Sequence, residues 1–167
     1  VAAPFDVQIR RWLRTSPVAG VQAAKNAYLL DVGQFIRGQW RAGVRKKTRR
    51  LRDSIVRSGL EPSETAKTVS VRVYSRLPEQ ARWDSEGTGL YGPRRQLIRP
   101  KRARVLAWPA AGAGRKGGMV FARFVRGKRG THAYQNATDG AETRAYQEER
   151  RAELDRAIRA ALDRSIT

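Results

Sequence analysis

The sequence predicts an α+β domain: a long N-terminal helix and a C-terminal helix packed on a small, mainly antiparallel β-sheet, with long basic loops. Three observations carry this. From Val21 to about Arg50, apolar residues recur at three- and four-residue steps, the spacing of one helix face. Thr68 to Tyr74 alternates apolar and polar residues, the period of a strand with one buried side. Ala141, Ala145, Leu154, Ile158, Ala161 and Leu162 return to helical spacing, with Glu142, Glu148, Glu149 and Glu153 nearer the start of that helix.

Taken in order, residues 1–20 read as an N-terminal arm and 21–167 as a single domain. Phe5, Val7 and Ile9 alternate ahead of Trp12 and Leu13. That pattern suits a short strand or an arm laid on a neighbour, and equally a short helix or tail packed on its own domain. Ser16-Pro17 offers a helix start, because serine caps free backbone N–H groups and proline is tolerated in the first turn. The helix that follows places Val21, Ala24, Tyr28, Val32, Phe35 or Ile36, Trp40 and Val44 on one stripe. Gly33, Gly38 and Gly43 each weaken it by up to about 1 kcal/mol relative to alanine, and Gly33 and Gly38 suit a close crossing or a bend. Arg45, Lys46, Lys47, Arg49, Arg50 and Arg52 make its end densely basic, which the helix macrodipole partly favours.

Glu61-Pro62-Ser63 marks the turn before the alternating strand. Leu77 to Trp83 is ambiguous; Ala81 and Trp83 fit a strand continuing towards Glu86-Gly87-Thr88-Gly89. The two glycines there are free to take positive φ, so the motif ends a strand and begins a loop. Tyr91 to Arg104 is a basic loop of a length usually reserved for function or disorder. Ala103 to Trp108 and Met119 to Val125 read as an antiparallel hairpin joined by the glycine- and alanine-rich segment Ala110 to Gly118, with Trp108 and Phe124 as strand core. A second irregular segment, Arg126 to His132, leads into the last helix.

Charge narrows the partners. Lys and Arg number 35 against 15 Asp and Glu, a net charge of +20 with a pI near 11.5. Such a balance implies a polyanionic or acidic partner: nucleic acid, an acidic protein ring or a membrane surface. The absence of cysteine excludes disulfides and thiolate metal sites. No apolar run approaches the ~20 residues that span a bilayer. Val1-Ala2-Ala3-Pro4 lacks a basic region followed by an apolar stretch, so neither a signal peptide nor a membrane partner is expected.

Catalytic candidates are few. His132 is the only histidine, and at a helix entrance without a visible partner it suits a structural hydrogen bond. Asp84 and Glu86 with Lys101 suggest a metal nuclease, but the acidic residue expected two positions before the lysine is Arg99, which repels a cation. No phosphate-binding loop or nucleophile elbow is present. The expectation is a protein that is not an enzyme and has no cofactor or metal. Nucleic-acid binding is the stronger rival. Basic clusters at 45–52, 94–104 and 115–129 lie near Tyr91, Trp108 and Phe124, combining cations for phosphates with aromatics for stacking. No helix-turn-helix, zinc-finger or ribonucleoprotein signature accompanies them.

The order of the short motifs adds a further reading. Leu51-Arg52-Asp53-Ser54-Ile55 is followed by Glu86 to Gly89, then Pro100-Lys101, Leu106-Ala107-Trp108-Pro109, Val120 to Val125, and Tyr134 to Ala137. Over roughly residues 21 to 165 this series resembles the neck and tail-completion family of long-tailed bacteriophages, the gene-product-ten-like group of lambdoid phages. Ser85-Glu86 stands where that family usually has Glu-Phe, and Gln135-Asn136 where it has Leu-Arg. The resemblance implies a structural virion protein at the head–tail interface, a homo-oligomeric ring with six-fold order as the first guess. Its implied partners are other copies, adjacent head-connector and tail proteins, and phage DNA in the lumen. Residues then expected at interfaces or facing DNA are Phe5 and Trp12; Arg45, Lys46, Lys47 and Arg49; Glu86, Gly87, Thr88 and Gly89; Arg94, Arg95, Arg99, Lys101, Arg102 and Arg104; Arg115 and Lys116; and Arg126, Lys128 and Arg129. Within that reading, Arg94 to Arg104 is an assembly loop.

Overall fold

A computed structural model of the chain describes residues 8–44, 49–109 and 119–166. Its elements are β1 (Gln8–Arg14), α1 (Ala19–Gly43), α2 (Arg49–Ser54), β2 (Ile55–Arg57), β3 (Glu61–Pro62), β4 (Thr68–Ser75), α3 (Pro78–Glu86), a 3-10 turn (Gly89–Tyr91), β5 (Leu106–Pro109), β6 (Met119–Ala122), α4 (Ala133–Asp139) and α5 (Ala141–Ile166). The architecture is α+β, as the periodicities predict.

β4 is the spine of the main sheet. β1 pairs along one edge, from Gln8 opposite Tyr74 to Arg14 opposite Thr68. β2 and β3 follow one another along the other edge, Ile55 opposite Ser75 and Glu61 opposite Ser70. All of these pairings are antiparallel. Residues 8–14 therefore belong to the domain's own sheet and are not an arm laid on a neighbour; they form its edge strand, with the inward row of backbone groups hydrogen-bonded to β4. The predicted alternation of β4 appears in its burial, with Val71, Val73 and Ser75 inside.

α1 lies across the buried face of that sheet. Leu29, Val32, Ile36 and Trp40 are almost wholly inaccessible, and each large apolar side chain so removed from water stabilises the fold by about 1.5–3 kcal/mol. Val32, Ile36 and Trp40 join Val44, Leu51, Ile55, Val73, Ala81, Ala133 and Ala137 in one core, where Trp40 meets the edge of Tyr134 at 5.1 Å. Gly33 is where helix and sheet come closest: a β-carbon there would sit 2.7 Å from Val71 Cγ1. Gly38 faces open space and serves no crossing.

Ile36, and not Phe35, is the core residue of the pair. Phe35 stacks on Tyr146 of α5 at 3.9 Å and 5°. The Tyr146 hydroxyl donates to Asp31 Oδ2 at 2.7 Å, and Arg150 reaches the same oxygen at 3.1 Å. Burial first, and then the bond to Asp31, push the Tyr146 phenol above its ordinary pKa. α5 is thus fixed along α1 by a stack and a polar triad.

Several boundaries differ from the sequence reading. Ser16 does not cap α1: Val18 holds that position without a side-chain cap, and Ser16 Oγ accepts only the Val18 N–H, at 3.4 Å. α1 ends at Gly43, with Val44 extended, so it does not run on to Arg50. Leu77 to Trp83 is not a strand, because α3 begins at Pro78. Proline fixes φ in the first turn, Glu79 complements the dipole, and Arg82 pairs with Glu86 one turn on at 2.9 Å. The glycine motif therefore ends a helix. The last helix is two, divided at Gly140, and Ala141, Ala145 and Leu162 are exposed on it.

Candidate interaction surface

The segment after α3 leaves the helical body at Asp84 and returns to it at Thr131. Asp84 is buried, its backbone oxygen accepts the Thr131 N–H at 2.7 Å, and its carboxylate accepts the Thr131 hydroxyl at 2.9 Å. Ser85 adds two ties: its oxygen accepts the His132 N–H at 2.9 Å, and its hydroxyl donates to Gln135 at 2.6 Å. Just outside, the Glu86–Gly89 turn pairs with Arg126–Gly130. Thr88 N–H donates to Lys128 O and Leu90 N–H to Arg126 O, both at 2.8 Å, and Lys128 N–H returns to Thr88 Oγ1 at 3.1 Å.

Glycine is required on both sides of this clasp. Gly89 has φ +63° and Gly127 φ +90°, and a β-carbon on either would overlap the opposing backbone, at Arg126 O or Thr88 O respectively. Two predicted site segments, about forty residues apart in the chain, are thereby brought together. Beyond the clasp, Ile98 and Val125 exchange N–H···O bonds of 2.9 Å, and β5 pairs with β6 from Leu106 opposite Ala122 to Pro109 opposite Met119.

Between α3, the glycine turn and the 92–101 loop lies a groove of about 920 Å³. Trp83, Leu97 and Ile98 supply apolar lining, and Arg94, Arg99 and Lys101 supply charge. Glu86 lines it too, held by Arg82. Arg94, Arg95, Arg99, Lys101, Arg102 and Arg104 are all exposed, as are Arg126, Lys128 and Arg129 across the clasp; the Arg129 guanidinium lies 5.5 Å from the Tyr91 ring centre.

Trp108 and Phe124 are not strand core. Trp108 is 37% exposed because the β5–β6 ribbon packs chiefly on itself, with no described layer over it, and Phe124, two residues beyond the end of β6, is 52% exposed. Of eleven exposed large hydrophobic side chains among the described residues, ten fall between Trp83 and Phe124. Beyond Glu86 the charge is of one sign: residues 87–138 contain 12 of the 35 basic residues and none of the 15 acidic ones.

Comparison with protein-family models, with curated proteins and with solved structures finds no match.

The remaining expected residues are more dispersed. Arg49 is exposed at the start of α2, away from the groove lining. Trp12 is in β1 opposite Ser70. Phe5, Arg45, Lys46, Lys47, Arg115 and Lys116 lie outside the described residues. His132 occupies the left-handed region at φ 54° before α4; its hydrogen bonds to Ser85 and Asn136 come from its backbone, and its imidazole caps nothing. Among the described residues, no group of three or more His, Asp or Glu side chains is placed to hold a metal, and no helix is long and apolar enough to cross a membrane. Sequence reading missed Ser85, Thr131 and Gln135 as the base of the clasp. The recurrence of glycine at 127 and 130, opposite Gly87 and Gly89, was the available signal.

Proposed function

We propose that this chain is a structural protein of a tailed-phage neck, forming a ring that joins head to tail or completes the tail and lets DNA pass. The observation that carries this is the concentration of exposed apolar side chains and uncompensated cations on one lobe, in the stretch that holds the family-like motifs. Contiguous exposed apolar surface marks association sites, and aromatic side chains with arginine are the composition of interface centres. A side-by-side and stacked assembly uses such surfaces; catalysis has no part in this reading. Negative-stain electron microscopy of the purified chain tests it. Closed rings of uniform size, with an opening wide enough for duplex DNA, are expected, and a population that only ever shows single chains overturns the proposal.

One observation favours a second reading, sequence-nonspecific nucleic-acid binding. Arg94, Arg95, Arg99, Lys101, Arg102, Arg104, Arg123, Arg126 and Lys128 are exposed and in no ion pair with a described residue. Cations of this kind release counterions on binding phosphates, with a slope of about −0.9 in log affinity against log salt for each phosphate on duplex DNA. Steeply salt-sensitive duplex binding by a chain that never assembles selects this reading over the ring.

A further inference from the structure

The β5–β6 ribbon is apolar on both faces. Directly opposed residues share a face, so Leu106, Trp108, Val120 and Ala122 lie on one side, and Ala107, Met119 and Phe121 on the other. A lone two-stranded hairpin is marginally stable at best in water, and it gains independent stability only from further strands or from packing on another element. Here the ribbon packs chiefly on itself, with Phe121 at 64% exposure. Its sequence is that of a strand pair covered on both sides, and the described elements of its own chain do not supply the cover.

Charge identifies the cover. The hairpin belongs to the segment 87–138, which has no acidic residue. Directly after it the balance reverses: residues 139–149 carry Asp139, Glu142, Glu148 and Glu149 against Arg144 alone. All four carboxylates are exposed at the junction of α4 with α5, and Ala141 and Ala145 are exposed between them. That face offers small side chains, which let a ribbon approach closely, under a carboxylate rim that complements the arginines flanking the hairpin.

We infer that the β5–β6 hairpin of one chain docks on the acidic first turns of α5 in a second copy. The contact is heterologous, since hairpin and helix are different surfaces. Each copy therefore presents one donor and one acceptor, and repetition closes a ring when the rotation permits. This rests on the ring reading above and names the surfaces that build it.

Mass photometry and sedimentation velocity on the full chain test it, with two double variants. Trp108→Ser with Phe121→Ser removes the hairpin's aromatics; Glu148→Arg with Glu149→Arg reverses the acceptor. All four positions are solvent-exposed, and unchanged far-UV circular dichroism verifies folding. Each variant alone is expected to be monomeric, or to need at least about tenfold more protein to assemble, as loss of interface hot spots requires. Mixed in equal amounts, the two variants retain one good hairpin and one good helix between them, so they should form a dimer of one copy of each and stop there. Rings that persist in both variants, or an equal mixture that stays monomeric, overturn the inference and leave the neck reading standing. An unsubstituted chain that never assembles removes both.

Discussion

Gly89 and Gly127 face each other across the clasp in backbone geometry that a side chain rarely adopts, each with its opposing carbonyl where a β-carbon would lie. Gly89→Ala is expected to lose about 1–3 kcal/mol from backbone strain, with the overlap on Arg126 O added to it. Hydrogen exchange should show the Thr88 and Leu90 amides losing protection before the core amides of α1 do; unchanged protection at both would remove the clasp from the account. The Glu86 to Gly89 motif was legible in sequence as a place for positive φ, because glycine announces that freedom locally. Its partner was not. Pairing with Arg126 to Gly130 is set by contacts across the fold, and it leaves no periodicity in either segment. Trp108 and Phe124 show the opposite failure. Their apolar neighbours imply burial, but burial depends on whether a second layer exists, and the strands' composition is silent on that.

Among the elements, α1 and β4 were readable because each buries one face along a full period, whereas of the predicted stripe on the last helix only Leu154, Ile158 and Ala161 turn inward. α3 was not, since only Ala81, Asp84 and Ser85 are buried, too few to write a helical stripe. Pro78 with Glu79 was the usable signal, and it was outweighed by Ala81 and Trp83 sitting two apart. The stop of α1 at Gly43 was hidden by the arginines and lysines beyond it, which suit a helix end as well as a loop. The hairpin was legible as a pair of strands, although it is shorter than expected: β5 begins at Leu106 and β6 ends at Ala122. Because it packs chiefly on itself, replacing residues 105–122 with a short Gly-Ser linker should leave the rest of the domain within about 0.5 kcal/mol of its original stability, the range of surface changes. Urea denaturation followed by circular dichroism reads this directly. A loss above about 2 kcal/mol would make the ribbon part of the core.

For the whole molecule, +20 on 167 residues acts on stability as well as on partners. The described ion pairs, such as Arg72 with Glu61 and Arg41 with Asp53, are partly exposed and contribute about 0–1 kcal/mol each, so they offset little of the repulsion. Screening should. Moving from about 0.01 M to about 0.15 M salt shortens the Debye length from ~30 Å to ~8 Å. The thermal midpoint of monomeric protein should rise by about 2–4 °C for each kcal/mol of repulsion removed, and a midpoint that falls with added salt would mean that local pairs outweigh the net charge. The clasp gives the lobe one mechanical property. Its two ends, Asp84 and Thr131, are hydrogen-bonded to each other where they join the body. Tension applied at the hairpin is therefore divided between α3 and α4. From α4 it passes through Ala133 and Tyr134 to Trp40 in the long helix, so a pull on the lobe loads the core from two directions and peels neither helix away alone.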